Sequence, residues 1–518
     1  MIYFFMALGL ALVGLLLYDL LQTKHTILRN FPIIGHLRYL LESVGPELRQ
    51  YIVTDNDEER PFSRDQRSWI YASAKRENNY FGFGSDNAFE TATNYPILKH
   101  ATFPHPEAPK AVVGKWNALP CAKVLGAPRD RRHAFRPASV VNISAMSFGS
   151  LSSAAVRALN HGAHLCGCLH NTGEGGISPY HLNGGDLIWQ IGTGYFGARN
   201  DHGGFDLAMF KDRIAEAPVR AIEIKLSQGA KPGHGGILPG VKVTEEIAKI
   251  RGVKPGVDCI SPPGHTAFKD ADGLLDFVEL LAEESGLPVG IKSAVGEIEF
   301  WHDLAGLMED GKRGVDFITI DGGEGGTGAA PLAFADHVAL PFRLGFARVF
   351  PIFARLGLDQ RIVFIGSGRL GLAENALIAF ALGCDTINLA REAMLSIGCI
   401  QAQRCHTDQC PTGVATQNQW LVRGLHPSTK AVRLANYVST MRHELRVLSE
   451  AAGQPHPACL STEQLELLEE GERSRSLREV YGYEPGWGHP GGKALEAIEA
   501  IMTGRRDPGP MRPEPAAS

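Results

Sequence analysis

The chain has 518 residues, with 51 lysines and arginines against 56 aspartates and glutamates, for a formal charge of −5. That length exceeds one small domain and suffices for a large barrel with additions. The near-balanced charge gives nucleic acid no footing as a partner. Six of the nine cysteines (Cys121, Cys166, Cys168, Cys259, Cys384 and Cys459) are scattered, which fits a reducing compartment better than a disulfide framework.

Residues 2–18 (IYFFMALGLALVGLLLY) are apolar without interruption. As a helix rising about 1.5 Å per residue they span roughly 26 Å, close to a bilayer core of about 30 Å. A secretory signal peptide needs a basic stretch before its apolar run and a small-residue cleavage site after it, and neither is present. Lys24, Arg29 and Arg38 follow the run. The positive-inside rule therefore predicts a transmembrane helix over 1–23, single-pass, with the bulk of the chain cytoplasmic. Residues 24–79 read as a juxtamembrane segment with an amphipathic helix over 37–51. Residues 80–138, rich in Phe, Pro and Asn, read as an irregular segment packing on the domain that begins near residue 139.

From residue 140 a pattern repeats eight times: a short apolar run of β type, a glycine-rich or polar turn, then a helical stretch. The runs are VVNISAM (140–146), CLHNT (168–172), LIWQIG (187–192), AIEIKLS (221–227), PVGIKSA (288–294), VDFITID (315–321), RIVFIG (361–366) and DTINLA (385–390). The helical stretches include 266–285 and 335–356. Such alternation predicts an α/β fold with a parallel sheet and right-handed crossovers. Eight units over about 260 residues is the size of a (β/α)8 TIM barrel, assigned to 139–421; a doubly wound open sheet is the alternative. Barrel active sites stand on the loops just after each strand.

The first run ends in Ser144-Ala145-Met146-Ser147-Phe148-Gly149-Ser150, small residues that let backbone amides reach a flat ligand. The second ends in Asn171-Thr172-Gly173-Glu174-Gly175-Gly176, where a lone carboxylate among glycines points to chemistry. The third carries Gln190. The fourth leads into Gln228-Gly229-Ala230-Lys231, with Arg251 further on. The fifth holds Lys292 within apolar residues, and a buried ammonium needs an anionic partner. The sixth ends in Asp321-Gly322-Gly323-Glu324-Gly325-Gly326, the seventh in Gly366-Ser367-Gly368-Arg369, the eighth in Ala390-Arg391. Barrels commonly bind phosphate after strands seven and eight. GSGRLG (366–371) also matches a dinucleotide fingerprint. Its acid would be Asp385, which starts a strand, whereas a Rossmann acid ends one.

Cys399, Cys405 and Cys410 punctuate a polar stretch that also contains Arg404, His406 and Asp408. Buried core cysteines would follow a helix or strand period. Thiolates in such a run suit an iron–sulfur cluster, and Cys410-Pro411 echoes the ending of ferredoxin-type runs. Zinc, with His406 or Asp408 as fourth ligand, is the other reading.

SAMSFGS, NTGEGG, QGAKPGHGG, ISPP, DGGEGGTGAAP and CHTDQCPTGVATQ together resemble the flavin-binding synthase domain of the glutamate synthase large subunit, from about residue 80 to 421. The resemblance implies an FMN-binding barrel and a 3Fe–4S cluster held by Cys399, Cys405 and Cys410. It implies a reaction in which 2-oxoglutarate and ammonia give 2-iminoglutarate, and reduced flavin delivers hydride to C2, with electrons relayed through the cluster. Lys231 and Arg251 match positions that hold the substrate carboxylates, and Gln228 another substrate contact. Glu174 matches the acid beside flavin and substrate. Lys292 matches the cation near flavin N1 and O2. The implied FMN contacts are Ser144, Ala145, Met146, Ser147, Asn171, Gln190, Lys292, Asp321, Gly322, Gly323, Gly325, Gly326, Gly366, Ser367, Gly368, Ala390 and Arg391. Glu174, Lys231 and Lys292 form the implied catalytic set.

The pattern departs from the family in places. Ile237 stands where the family has a second substrate-side glutamine. The chain opens with the apolar run, not a cysteine nucleophile, so glutaminase activity is not expected. Ammonia then comes free or from an ammonia-supplying chain, and electrons from an external donor or reductase subunit. Residues 422–518 read as a short helical region (429–452 and 462–472) and a Pro-rich tail expected to be disordered. The leading expectation is a membrane-anchored glutamate synthase-like oxidoreductase. Alternatives are an N-alkylglutamate synthase using another amine, or a membrane redox relay without turnover of its own.

Overall fold

The computed structural model describes residues 1–470 and 473–505, in two compact units, Met1–Ser68 and Trp69–Ser518. The tail expected to be disordered is ordered through residue 505, with the helices Leu477–Tyr481 and Gly492–Met502, and its last part, 506–518, lies outside the described residues.

In the first unit the apolar run forms the helix Ile2–Leu21, with a mean hydropathy of 2.2 and 6% of its apolar window buried. By length and composition it can cross a membrane. Its one acid, Asp19, accepts the Ile33 N–H at 2.8 Å, and His36 Nε2 stands 2.9 Å from it. This ties the helix end to the following turn. The helix Gly35–Leu48 covers most of the amphipathic stretch.

The second unit is a closed barrel of eight parallel strands: β1 (Val141–Ile143), β2 (His170–Asn171), β3 (Leu187–Ile191), β4 (Val219–Lys225), β5 (Val289–Ser293), β6 (Phe317–Asp321), β7 (Val363–Ser367) and β8 (Thr386–Leu389). All eight fall within or against the apolar runs of the sequence, and β8 closes on β1 through Ile387↔Val141. The open-sheet alternative is thereby excluded. Asp385 lies at the barrel's base, where Lys123 Nζ bonds it at 2.9 Å; it is no ribose ligand.

The interior changes character along the barrel axis. At the N-terminal end, Leu169, Ile188, Ala221, Phe317, Val363 and Ile365 form one cluster with Cys121, Leu125 and Phe135. Leu125 and Phe135 exchange backbone hydrogen bonds at 2.8 and 3.1 Å, so the segment before β1 makes an apolar plug. The middle is polar. Glu223 accepts from Asn171 Nδ2 (2.8 Å), Gln190 Nε2 (2.6 Å) and Thr319 Oγ1 (2.8 Å). Two of these donors sit on β2 and β6, which do not adjoin β4, so the carboxylate spans the interior. The C-terminal mouth is charged, and there the site lies.

Two helical expectations are corrected. The stretch 335–356 is two helices, Leu332–His337 and Phe342–Arg355. Pro341 caps the second, since proline has no N–H to extend a preceding helix. The stretch 462–472 is not helical where it is described: Leu465–Glu469 is a strand between Pro96–Leu98 and Arg473–Ser476. Leucine and glutamate favour helix. Here Leu465 and Leu467 alternate onto a buried face, and a partner over 360 residues away supplies the ladder. The other C-terminal helix, Pro427–Ala451, packs on Ser153–Cys166. Its approach leaves no room at Gly162, whose Cβ would lie 2.8 Å from the Ala431 carbonyl oxygen.

Candidate active site

β4 and β5 run in register, which sets Lys225 beside Lys292. A buried ammonium needs compensation, and each lysine has its own. Lys225 Nζ stands 3.1 Å from Glu174 Oε2 and donates to Gln228 Oε1 at 2.6 Å. Lys292 Nζ stands 3.4 Å from Asp321 Oδ2. Asp321 also accepts the Gly229 N–H at 2.9 Å and the Ser367 hydroxyl at 2.7 Å. The anionic partner that the sequence demanded for Lys292 is thus within the protein.

Glu174, Lys225, Gln228, His234, Gly235 and Gly236 line a cleft of ≈ 280 Å³ with Thr193, Pro262 and Pro263. Gly236 leaves room for that carboxylate: a Cβ would meet Glu174 Oε1 at 2.1 Å, so the side chain would have to move. Burial pushes the Glu174 carboxyl up, but Lys225, Arg251 and Lys231 outweigh it and hold the group below its ordinary range. Lys231 is buried, and its Nζ donates to the Ala329 carbonyl at 2.8 Å. Burial and the neighbouring Lys225 bring its ammonium down to about 8, against the pull of Glu174. Arg251 ends the helix Glu245–Arg251, ahead of Gly252 in the left-handed conformation. Its Nη2 donates to Ser147 Oγ (3.2 Å) and to the Phe148 carbonyl (3.1 Å), and its guanidinium lies 5.2 Å from the Phe196 ring centroid.

The residues expected around a flavin stand on one face. Ser144, Ala145, Met146 and Ser147 follow β1, and the NTGEGG loop presses on them: a Cβ at Gly173 would lie 2.6 Å from the Ser147 nitrogen. Asn171 and Gln190 turn their amide nitrogens to Glu223, which leaves the Gln190 carbonyl oxygen as the polar end not used by that bond. Gly322, Gly323, Gly325 and Gly326 follow β6, Gly366 and Ser367 end β7 with Gly368 just after it, and Ala390 and Arg391 follow β8. Gly366 and Gly322 are explained by packing, since a Cβ would meet Phe342 at 2.9 and 2.6 Å. Gly326 lets Arg391 lie across the loop, 2.7 Å from where its Cβ would be. Burial lowers the Arg391 guanidinium, with Arg369 adding to that and Glu392, Glu324 and Asp321 opposing it, so two cations and three carboxylates share the surroundings of the glycine loop. That donor set fits a phosphate, and the Lys292 ammonium fits an anionic ring edge: the residues present suit FMN.

The three cysteines form a loop around Gln401, Gln403 and Asp408, all with left-handed backbone. Gln401 N–H points at Cys399 Sγ (3.4 Å), and Cys410 Sγ lies 3.5 Å from the Thr412 hydroxyl. Burial raises the Cys405 thiol, and Cys410 adds to the rise, so these two are close. The Gln401 N–H is a donor aimed at the Cys399 sulfur, a contact a thiolate can accept. Among the described residues no group of three or more His, Cys, Asp and Glu side chains could hold a metal ion, so neither the zinc set nor the three thiols expected for a cluster stand gathered as ligands. Asp408 is engaged by Gln417 N–H at 2.6 Å.

Sequence reading passed over Lys225, Glu223 and Lys242. Lys225 and Glu223 are charged residues inside an apolar strand, the same signal that singled out Lys292. Lys242 carries no such mark, because its surroundings come from distant loops.

Residues 123–455 match the family described as the conserved region in glutamate synthase. The chain is 40% identical over 474 residues to the glutamate synthase large subunit-like protein YerD of Bacillus subtilis, covering 85% of this chain and 90% of that protein. It is 36% identical over 320 residues to the archaeal glutamate synthase (NADPH) of Methanocaldococcus jannaschii, covering 60% of this chain and 59% of that one. Among solved structures it is similar to a mutant flavocytochrome b2 with pyruvate bound, with 13% identity, a TM-score of 0.41, and coverage of 82% of this chain and 91% of that one.

Proposed function

This chain belongs to the glutamate synthase family, and from that premise we propose that it is an FMN- and iron–sulfur-dependent oxidoreductase making L-glutamate from 2-oxoglutarate and ammonia. The observation that carries the reading is the charge balance of the cleft. Lys225, Lys231 and Arg251 all act on the single carboxylate of Glu174. Three cations against one anion leave an excess of two positive charges in a buried site, and a dicarboxylate supplies two negative ones.

Lys231 and Arg251 bind the two carboxylates, with Arg251 held in orientation by Ser147 and the Phe148 carbonyl. Gln228 is fixed by Lys225 and adds a polar contact. Glu174, kept ionised by Lys225, guides ammonium and accepts its proton. Lys292 holds a positive charge at the floor of the mouth, where the ring edge of FMN would lie. FMN, when bound, would supply the hydride, and Cys399, Cys405 and Cys410 are the residues that would have to come together to hold a 3Fe–4S cluster supplying single electrons. The helix Ile2–Leu21 anchors the protein, with its bulk on the cytoplasmic side. The ammonia and the electrons come from partners outside this chain.

Ile237 favours a second reading, in which another amine replaces ammonia. It pairs with Ile260 beside Gly236 of the cleft wall and brings an apolar side chain where a glutamine donor is expected.

The test is anaerobic. The protein is purified in detergent, its flavin reduced chemically, and 2-oxoglutarate added with and without ammonium. Flavin reoxidation and glutamate are expected with both together and with neither alone. A flavin that stays reduced with ammonium but reoxidises with an alkylamine selects the second reading; one that stays reduced with every amine sinks both.

A further inference from the structure

Cys166 and Cys168 flank Gly167, where the helix Ser153–Cys166 ends and the run that becomes β2 begins. Gly167 has the left-handed backbone of a helix stop, with φ of 68°. That turn brings the two Sγ atoms within 3.6 Å of each other. Both thiols are buried, at 5% and 3% exposure. A Cβ at Gly167, however, would meet nothing within 4 Å, so the turn between them opens to the surface.

Arg442 of the helix Pro427–Ala451 stands against this turn. Its Nη2 donates to the Cys166 carbonyl at 2.8 Å, which meets the negative end of the shorter helix. Its Nε finds no acceptor. The side chain is 1% exposed, and among the described residues it forms no salt bridge. A buried guanidinium without an anion is costly, and the ionisable groups that feel this one are the two thiols. The hydrogen bond with Cys168 lowers the Cys166 thiol, burial opposes it, and Arg442 lowers it further. The same bond and burial raise Cys168. A proton shared between two sulfurs beside a cation suits an attacking thiolate and its resolving thiol.

We infer that Cys166 and Cys168 are a two-electron redox pair, oxidised to a disulfide by a hydroperoxide, with Arg442 as the counter-charge of the attacking sulfur. The Cys166 thiolate attacks an oxygen of hydrogen peroxide, the O–O bond breaks and hydroxide leaves, so Cys166 becomes a sulfenic acid. The Cys168 sulfur then attacks the sulfenic sulfur. The S–O bond breaks, and the hydroxyl leaves as water with the Cys168 proton. Counted from two thiols, one peroxide gives one disulfide and two waters, with two electrons passing from sulfur to oxygen. The pair stands at the foot of β2, which ends in Asn171 and leads into Glu174. Oxidation therefore acts on a strand that carries a cleft residue. The inference is independent of FMN and of Cys399, Cys405 and Cys410.

The experiment uses the full-length protein, purified anaerobically in detergent, and reads mass instead of turnover. Cleavage after Arg157 and Arg199 releases residues 158–199, which contain Cys166 and Cys168 and no other cysteine. After hydrogen peroxide, this fragment is expected to lose two hydrogens and to regain them with dithiothreitol. Its thiols should disappear about tenfold faster or more than that of Cys384, a buried thiol whose neighbour Asp385 raises it further. Cys168→Ser should stop at a sulfenic acid on Cys166, captured by dimedone. Arg442→Met should slow disulfide formation by about tenfold, and Arg442→Lys should restore most of the rate. A wild-type fragment that gains oxygen without losing two hydrogens overturns the pair, as do thiols lost no faster than that of Cys384. Cys168→Ser without a sulfenic acid overturns Cys166 as the attacking sulfur. Arg442→Met oxidising as fast as wild type overturns the counter-charge. The wild-type fragment decides the pair even where a variant fails to fold.

Discussion

Lys225 and Lys292 are register partners on adjacent strands, each buried and each paired with one carboxylate, yet they serve different neighbourhoods. Lys225 faces the cleft. Its partner Glu174 also feels Lys231 and Arg251, so three cations act on one carboxylate there. Lys292 faces Asp321, which Gly229 and Ser367 also hold, so that side forms a closed, balanced network. Strand position alone makes the two lysines alike. Their function is decided by whether the surrounding loops complete the charge balance or leave it open for a ligand.

Exchanging the charges separates the two sides. The largest effect is expected from Lys225→Met, which leaves Glu174 buried beside a neutral chain. Losing one partner of a buried pair costs about 3–5 kcal/mol, so kcat/KM for 2-oxoglutarate should fall by about 10³-fold while FMN stays bound. Retained activity would mean that Glu174 does not need its lysine. Lys231→Ala should come next, with a loss of about 10²-fold seen mainly in KM for 2-oxoglutarate, as expected for a charged contact to a bound carboxylate. Equal KM values in mutant and wild type would move the dicarboxylate out of this cleft. Lys292→Met should behave oppositely: a KM within about twofold, but a two-electron flavin potential about 30 mV more negative if one tenfold of stabilisation is lost. A shifted KM with an unshifted potential would show that the closed network serves substrate as well.

The cleft side should also be the pH-sensitive one. The Lys231 ammonium titrates at about 8. It is charged below that pH and neutral above it, so kcat/KM should decline as pH rises through about 8, and Lys231→Arg should remove the decline. The smallest effect lies outside both networks. Glu444 accepts from Trp69 Nε1 at 3.2 Å, and burial, with Glu374 nearby, raises its carboxyl from 4.5 to about 7. The raised value means the folded state binds the proton more tightly. The stability this confers is fully present below about 4.5 and lost as pH rises through about 7. Glu444→Gln keeps the acceptor and cannot ionise, so it should melt higher than wild type at pH 8, by the order of 1–3 kcal/mol, and show no advantage at pH 4. Turnover should not change. A turnover effect would tie the helix Pro427–Ala451 to the cleft.

The eight barrel strands were legible because each carries its own local signal: a short apolar run closed by a glycine-rich or polar turn. Burial on both faces of a parallel strand writes itself into consecutive residues. Lys292 and Glu174 were legible for the converse reason, as charges in places that packing does not call for. Lys225 and Glu223 bore the same mark within AIEIKLS and were passed over in a longer apolar run. The strand Leu465–Glu469 was misread because its leucines and glutamates favour helix locally, while the edge that pairs with it comes from Pro96–Leu98.

Sequence alone determined the barrel, its order of strands, the apolar N-terminal helix and the family to which the chain belongs, because periodicity and motif spacing are properties of adjacent residues. Tertiary structure decided which charges are balanced and which are open. Asp321 closing on Lys292, Glu223 gathering two amides and a hydroxyl from three strands, and Lys242 between the cleft and the cysteine loop each depend on side chains brought together from distant segments. Electrostatic energy depends on distance through space and on burial, and neither can be read from separation along the chain.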